Sequence, residues 1–323
     1  MQGKATLAPN APEHIHVGID VCKDWLDVFL HPVGRCLRLS NDSLGLKRLK
    51  RELATFHVVR VVMEATGKYH RLAMRNLHDS GFCVAVTNPA RARYFANALG
   101  ILAKTDAIDA RILALFSEVM DPRATIPCSR NLEELQELAR ARQGAVADKT
   151  ALQNQLGEAI TGFLRLELKR RIGTMDTHIA RLEAEIVRRI QLDPVMARRV
   201  EILDSIPGVA EITACAVAIG MAEMGTCTNK EIALLVGLAP VACDSGDKSG
   251  KRHIKGGRGH VRTALYMAAV SAITWNPDLK IFYDRLIAKG KLKKVALTAV
   301  MRKLVTLANT LITENRIWTP IAP

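Results

Sequence analysis

The chain has 323 residues, with 46 Lys and Arg against 32 Asp and Glu, and therefore a formal net charge of +14 at pH 7. Hydrophobic residues make up 49% of the chain, which excludes a disordered protein. No uncharged apolar run approaches the length of a membrane span, so we predict no membrane partner. A positive surplus of this size favours a polyanionic partner, most often nucleic acid.

The N-terminal sequence and the cysteine pattern indicate the cellular compartment and the redox chemistry to expect. The first fifteen residues lack the apolar stretch of a secretory signal, which predicts a cytoplasmic and nucleoid-associated protein. The seven cysteines are odd in number and contain no C-x-x-C pair. Neither a disulfide framework nor a structural zinc site is expected from this pattern.

The first part of the chain alternates short β-branched runs with amphipathic stretches. Three runs separated by turn residues predict a meander, and the run at residues 58–64 predicts a buried central strand. The element order β-β-β-α-β-α-β-α predicts an α/β fold, a mixed sheet with helices around it. The predicted strands are 16–20, 25–30, 35–39, 58–64 and 82–87, and the predicted helices are 43–56, 69–80 and 104–119.

Composition changes after Pro127. Residues 131–192 lack proline and carry apolar residues at near-heptad spacing from Met175 to Ile190, which predicts long helices. Pairing between chains and an intramolecular bundle both remain open, since glycines interrupt the pattern. Pro194 is predicted to close this section, and a mostly helical region follows. The predicted divisions are an extension at 1–14, an α/β domain at 15–127, a helical section at 128–198 and a C-terminal domain at 199–323.

Four carboxylates stand where they can meet. Asp20 ends the first predicted strand and Glu64 the fourth, while Asp106 and Asp109 share one helical face. If these strands are neighbours, the acids converge and repel one another unless a divalent cation holds them ionised. Mg²⁺ suits an all-oxygen set, with Mn²⁺ as a substitute, and such a site supports phosphoryl transfer.

Taken singly, each of these acids is more typical of a turn or a helix start. Their combination with the element order favours the metal site. Asp24, Asp27 and Asp79 have no such companions and are predicted to be surface residues.

A glycine-rich basic loop occupies residues 244–258 and leads into a helical stretch. Its glycines allow close approach to a ligand, and its cations can neutralise phosphate, so the loop is predicted to bind nucleic acid. The predicted binding residues are Lys248, Lys251, Arg252, Lys255, Arg258 and Arg262.

The loop also holds two serines, Ser245 and Ser249, in similar Ser-Gly settings. A serine hydroxyl can attack a phosphodiester if a base or a metal removes its proton. From the residues alone, a phosphate-binding loop whose serines only form hydrogen bonds is the favoured interpretation. His253 and His260 are predicted to be solvated.

A second phosphate-binding candidate lies upstream at Ile206-Pro207-Gly208-Val209. This segment resembles the turn of helix-hairpin-helix modules, where glycine lets backbone N–H groups face a phosphate, so Gly208 is a predicted nucleic-acid contact. An ordinary helix-to-helix turn explains the Pro-Gly pair nearly as well.

Several blocks together resemble a known family. The segments GID at 18–20, MEATGKY at 63–69 and KTDAIDA at 104–110 resemble the DEDD domain of the insertion-sequence one-ten family of transposases. The later segments IPGV at 206–209, GLAP at 237–240 and DSG at 244–246 also resemble this family. The combination of GGR at 256–258 with ALYMAA at 264–269 is similar to its eleven-eleven branch. The resemblance spans roughly residues 15–310, in the right order and spacing.

The resemblance implies a RuvC-like, RNase H-type first domain with Asp20, Glu64, Asp106 and Asp109 as a Mg²⁺-binding tetrad. It implies a coiled-coil section followed by a C-terminal transposase domain, in which Ser245 is the nucleophile that links covalently to DNA. It also implies donor and target DNA as substrates, a guide (bridge) RNA encoded by the element, and dimers that assemble into tetramers.

Three functions are therefore compared. The favoured one is a recombinase in which Ser245 attacks the scissile phosphate with the help of the metal-bound tetrad. The second is a metal-dependent, junction-resolving nuclease that acts by water attack, with Ser245 incidental. The third is a non-catalytic element remnant that still binds nucleic acid.

Overall fold

The structure is a computed structural model that describes residues 14–245, 250 and 252–320. The chain divides into two compact units, one that ends at Cys128 and one that begins at Ser129. Each unit has its own hydrophobic core.

The first unit is built on a five-stranded mixed sheet in the order β3-β2-β1-β4-β5. Neighbouring strands among the first three are antiparallel, whereas β4 lies parallel to β1 and β5 lies parallel to β4. The prediction of a mixed sheet is confirmed. The strands are β1 (Ile15–Val21), β2 (Trp25–His31), β3 (Arg35–Ser40), β4 (Val58–Glu64) and β5 (Val84–Thr87).

Helices cover both faces of this sheet. Successive residues of a strand point to opposite faces, and in β4 the side chain of Met63 packs with Leu77 while that of Val62 packs with Phe116. The first two helices therefore cover one face and the last two cover the other. They are α1 (Ser43–Leu53), α2 (His70–Asp79), α3 (Pro89–Ala98) and α4 (Asp106–Met120).

The second unit is mostly helical, as predicted. Its helices are α5 (Arg130–Glu158), α6 (Gly162–Gln191), α7 (Pro194–Asp204), α8 (Glu211–Gly220), α9 (Asn229–Val236), α10 (Gly259–Trp275), α11 (Pro277–Ala288) and α12 (Lys293–Thr313). A two-stranded antiparallel ribbon, β6 (Pro240–Val241) and β7 (His253–Ile254), lies between α9 and α10.

The long helices α5 and α6 pack against each other as a hairpin. Leu135, Ile186 and Ile190 join the core of the second unit at one end of the hairpin, and a separate small cluster around Leu152 and Leu168 lies towards the other end. Intramolecular packing is therefore present, whereas pairing between chains stays a prediction.

The long helices end at Gln191, just before Pro194 as predicted, and Pro194 itself begins α7. The side chain of Asp193 accepts hydrogen bonds from the backbone N–H groups of Val195 and Met196, and Pro194 occupies the first turn. A proline is tolerated there because the N–H groups of a first turn have no partner within the helix.

One helix in the described part of the chain, α12, is long and apolar enough to cross a membrane by length and composition alone. Arg302 and Lys303 interrupt it, so it is not an uncharged run. Its buried residues, among them Val300 and Leu304, belong to the core of the second unit. A core helix passes the same test, so α12 carries no argument for a membrane.

Candidate active site

Two acids come together at the carboxyl ends of the central strands. Ile19 of β1 pairs with Met63 of β4 in parallel register, so the next residues along the strands, Asp20 and Glu64, are neighbours at the same edge of the sheet. The two strands are thus adjacent, as the prediction of a shared site required. Both carboxylates are partly buried.

Helix α4 brings the other two acids to this edge. A Cβ atom on Gly18 would lie 2.0 Å from the backbone oxygen of Ala110, so the helix packs directly on β1. Gly18 and Asp20 face the same side of the sheet, because strand residues alternate. Asp106 and Asp109 lie in the first turn of that helix, next to Ala110.

The four acids influence one another electrostatically. Burial, together with the negative charges of Asp109, Asp106 and Asp27, raises the pKa of Asp20 to about 6. Burial also raises the pKa of Glu64, and the charges of Asp20 and Asp109 add to that effect. The tetrad predicted from the motifs is therefore one electrostatic group.

Two cations flank this group. Burial raises the pKa of Asp109, whereas the positive charges of Lys104 and Arg93 lower it. Lys104 lowers the pKa of Glu64 as well. Sequence reasoning missed Arg93 because it lies on α3, a helix that was not predicted.

A fifth acid and its partner also belong to this edge. Asp27 of β2 lies in register with Asp20 on one side and with Arg38 of β3 on the other. The guanidinium of Arg38 donates two hydrogen bonds of 2.8 Å to the Asp27 carboxylate and one of 2.9 Å to that of Asp106. Asp27 is only 8% exposed, so its prediction as a surface residue was wrong.

The donor set fits a hard divalent cation in its chemistry. Asp20, Glu64, Asp106 and Asp109 supply only carboxylate oxygens, and their mutual repulsion would be relieved by a bound positive charge. Within residues 14–245, 250 and 252–320, no three His, Cys, Asp or Glu side chains are arranged as ligands of one ion. Arg38 binds Asp106 instead.

In the second unit, the ribbon of β6 and β7 closes the base of the predicted basic loop. The carboxylate of Asp244 accepts a hydrogen bond of 3.0 Å from the backbone N–H of Gly250 and forms an ion pair of 2.9 Å with Arg252. These contacts bring the two sides of the loop together. The side chain of Ser245, the next residue, is exposed to solvent.

Some of the predicted loop residues cannot be placed. Lys248, Ser249 and Lys251 lie outside the described residues. Lys255 is exposed and forms no ion pair in the part of the chain that the structure describes.

Two of the arginines predicted to contact phosphate bind other groups of the protein instead. Arg258 forms an ion pair with Glu223 and donates a hydrogen bond of 2.7 Å to the backbone oxygen of Gly220. Arg262 donates to the backbone oxygens of Val236 and Gly256. These guanidinium groups hold the loop against neighbouring elements, so fewer cations face solvent than the sequence suggests.

The Pro-Gly turn between α7 and α8 is close-packed. Gly208 has a φ of +96°, and a Cβ atom there would lie 2.4 Å from the Cα of Ala272 in α10. Positive φ and this close approach explain the glycine structurally. Its contact with a phosphate stays a prediction.

A mixed sheet with acids at the ends of its central strands is an arrangement suited to phosphoryl transfer. Comparison with known proteins agrees. Residues 17–164 match the sequence model of the DEDD transposases of IS110, described as a transposase, and residues 200–284 match the model described as the IS116/IS110/IS902 transposase family. The two matches indicate a DNA transposase or recombinase that is similar to this family.

Relatives agree with this assignment. The chain is 27% identical over 315 residues to the pilin gene-inverting protein of Moraxella bovis, covering 93% of this chain and 96% of the relative. A pilin gene-inverting protein of Moraxella lacunata matches with the same identity and coverage. An uncharacterized 42 kDa protein of the insertion element IS900 from Mycobacterium paratuberculosis is 27% identical over 51% of this chain and 41% of its own length.

Proposed function

We propose that this transposase cuts and rejoins DNA strands of an insertion sequence through a covalent bond between Ser245 and DNA. The observation that supports it most directly is the electrostatic group of Asp20, Glu64, Asp106 and Asp109 at one edge of the sheet. Such a group is suited to hold a cation beside a phosphodiester.

The acids are proposed to bind Mg²⁺, for which Mn²⁺ can substitute. When bound, the cation supplies positive charge that stabilises the charge developing on the phosphate oxygens. The chain's part is to orient the carboxylates, and the contact between α4 and β1 at Gly18 supports that orientation.

The covalent step is balanced as an exchange of esters. The oxygen of Ser245 forms a bond to phosphorus, the bond from phosphorus to the leaving strand oxygen breaks, and the serine proton ends on that oxygen. Rejoining reverses the exchange with a different strand. The exposure of Ser245 beside the closed loop base is compatible with this role.

The partners in this proposal are donor and target DNA, a guide (bridge) RNA and further copies of the chain, in the cytoplasm. The net charge of +14 supports a polyanionic partner. RNA guidance and assembly into tetramers remain implications of the family resemblance.

Site-specific DNA inversion is a second candidate. It is supported by the similarity to the pilin gene-inverting proteins, which extends over 93% of this chain. Inversion and insertion can share the same cutting and joining chemistry and differ in how the sites are arranged.

The test compares Ser245→Ala and Asp20→Asn with the wild-type protein, and uses Ser249→Ala as the matched serine control. We expect strand exchange to fall by about a thousandfold or more in both site variants and to persist in the control, because each removes a reacting or charge-stabilising group. Inversion is measured on a plasmid that carries two sites in inverted orientation, and insertion is measured between separate donor and target plasmids.

A denaturing gel distinguishes the proposal from its alternatives. A protein-DNA adduct is expected with the wild type and with Ser249→Ala, but not with Ser245→Ala. Cleavage without an adduct would identify a nuclease that uses water. Strand exchange by Ser245→Ala would reject Ser245 as the nucleophile.

A further inference from the structure

We propose that α3 and the segment after it form a DNA-binding surface, defined by Arg93, Tyr94 and Lys104, which holds the strand presented to the acids of the first unit. The inference rests on the proposed function, since it names where that function's DNA lies. The basic residues predicted from the sequence all lie in the second unit, so the first unit had no assigned DNA contact.

Charge is concentrated around this surface. Residues 65–105, which separate Glu64 from Asp106, contain six Lys or Arg residues and a single acid, Asp79. A stretch with this balance, inserted between two acids of the site, would attract a phosphate backbone to the place where the acids act.

The topology puts the surface beside the acids. Glu64 pairs with Thr87, the last residue of β5, and α3 begins two residues later. The guanidinium of Arg93 donates a hydrogen bond of 3.1 Å to the backbone oxygen of Leu102, which fastens the segment that follows to the helix. Lys104 lies two residues before Asp106.

The charges of this surface reach the acids directly. The positive charges of Arg93 and Lys104 both act on the carboxylate of Asp109, and that of Lys104 also acts on Glu64. A phosphate held by these cations would therefore lie next to the acidic group. Cations in this position neutralise the strand and reduce its repulsion from the carboxylates.

The surface is free to bind. Arg93, Tyr94 and Lys104 are exposed, and Tyr94 is 73% exposed. The side chains of Tyr94 and Lys104 form no hydrogen bond or ion pair within residues 14–245, 250 and 252–320. Helix α3 is anchored from its other side, through the buried residues Ala92 and Ala96.

An exposed tyrosine between cations suits a nucleic-acid strand better than a protein. Lysine and arginine contact phosphates, and an aromatic ring stacks on a base whatever its sequence. DNA is the ligand we assign, because the acids next to this surface belong to a DNA transposase.

The experiment measures binding of fluorescent single-stranded DNA, duplex DNA and single-stranded RNA to the full-length protein by anisotropy, in EDTA, so that no cleavage occurs. The variants are Lys104→Gln and Tyr94→Ala. The matched controls are Lys47→Gln, which removes an exposed charge from α1 on the other face of the sheet, and Tyr94→Phe, which keeps the ring.

We expect Lys104→Gln to weaken DNA binding by about threefold to tenfold and to reduce the slope of log affinity against log salt by about 1. Tyr94→Ala is expected to weaken single-strand binding by about fivefold or more, while Tyr94→Phe retains it. Lys47→Gln should bind as the wild type does. Thermal unfolding of every variant checks that it is folded.

Equal weakening by Lys104→Gln and Lys47→Gln would overturn the proposal, because the effect would then come from net charge alone. Loss of RNA binding with DNA binding unchanged would also overturn it, since the surface would then serve RNA. The outcome is separable from the proposed function. Unchanged DNA affinity in Lys104→Gln rejects only the surface, whereas strand exchange by Ser245→Ala rejects only the serine mechanism.

Discussion

Arg38 occupies an unusual position among the residues of the acidic edge, because its one guanidinium is shared by Asp27 and Asp106. Asp27 is buried and has Asp20 opposite it on β1. Removing the cation would leave a buried carboxylate without its partner, which is more costly than never having had the pair. Arg38 therefore holds the carboxylates of Asp27 and Asp106 in place.

Arg38→Ala is expected to lower the thermal unfolding midpoint in EDTA, and the added substitution Asp27→Asn is expected to restore part of the loss by removing the unpaired charge. Arg35→Ala is the matched control on the same strand. Its ion pair with Glu52, of 3.0 Å, lies near the surface and should contribute little. Equal losses in Arg38→Ala and Arg35→Ala would contradict the assignment.

Asp20 makes the folding stability of the metal-free protein depend on pH. The sign of this dependence is opposite to that of an ordinary salt-bridged acid. Its pKa is raised from 3.8 to about 6 on folding, so the folded state binds more protons than the unfolded state between those values. Stability should therefore fall as the pH rises from about 4 to about 6.

The check is thermal unfolding of the wild type and Asp20→Asn in EDTA across that range. The midpoint of the wild type should decline relative to that of the variant as the pH rises, because the variant cannot ionise at residue 20. Asp24→Asn is the control. Asp24 is an exposed acid in the turn between β1 and β2, and this variant should follow the wild type. Parallel curves for the wild type and Asp20→Asn would disprove the effect.

The motifs predict four acids at one edge of the sheet, and the strand register makes two of them, Asp20 and Glu64, neighbours there. They do not predict which cations balance the negative charge. Asp20 and Glu64 follow from strand ends, and Asp106 and Asp109 from helical spacing. The pair of Asp27 and Arg38 depends on the register between β2 and β3, which places these two residues opposite each other although they are 11 positions apart in the sequence. The hairpin turn that sets this register was predicted, so pairing the meander explicitly would have revealed it.

At the scale of elements, the contact of α4 with β1 decides whether the acids converge. Gly18→Ala places a methyl group against the backbone of Ala110 and Ala114, which cannot move aside as a side chain can. We expect a loss of unfolding free energy of about 1–3 kcal/mol, measured by urea denaturation.

Gly144→Ala is the contrasting control. This glycine lies within α5 with nothing within 4 Å of an added Cβ atom. The same substitution should there stabilise the protein by about 0.5–1 kcal/mol, because alanine favours the helix. Loss of stability in both variants would indicate that the effect at Gly18 does not come from the contact with α4.

Elements with a strong period were predicted well and short ones were not. The run at Val58–Glu64 has the predicted bounds, because a buried β-branched strand is unambiguous. Helix α3 was missed because it buries only two alanines, Ala92 and Ala96, and so has almost no apolar stripe. Pro194 was predicted only as the end of the long-helix section, although proline is also common in the first turn of a helix.

For the whole molecule, net charge is a poor guide to which cations meet nucleic acid. Of the basic residues predicted in the second unit, Arg258 and Arg262 are held by neighbouring groups, and Arg252 is paired with Asp244. The first unit, in contrast, exposes Lys104 beside its acids. The net charge of +14 therefore does not reveal which cations are available to nucleic acid, because that depends on which of them are already paired within each unit.

The hairpin of α5 and α6 has a mechanical consequence. At a rise of about 1.5 Å per residue, helices of 29 and 30 residues make it about 45 Å long, anchored at the end near Leu135. At the other end Ile160 is 95% exposed and Phe163 77% exposed. A rotation of the hairpin by about 10° about its anchored end would displace the end with Ile160 and Phe163 by about 8 Å. Fluorophores placed there would magnify rearrangements too small to detect near the core.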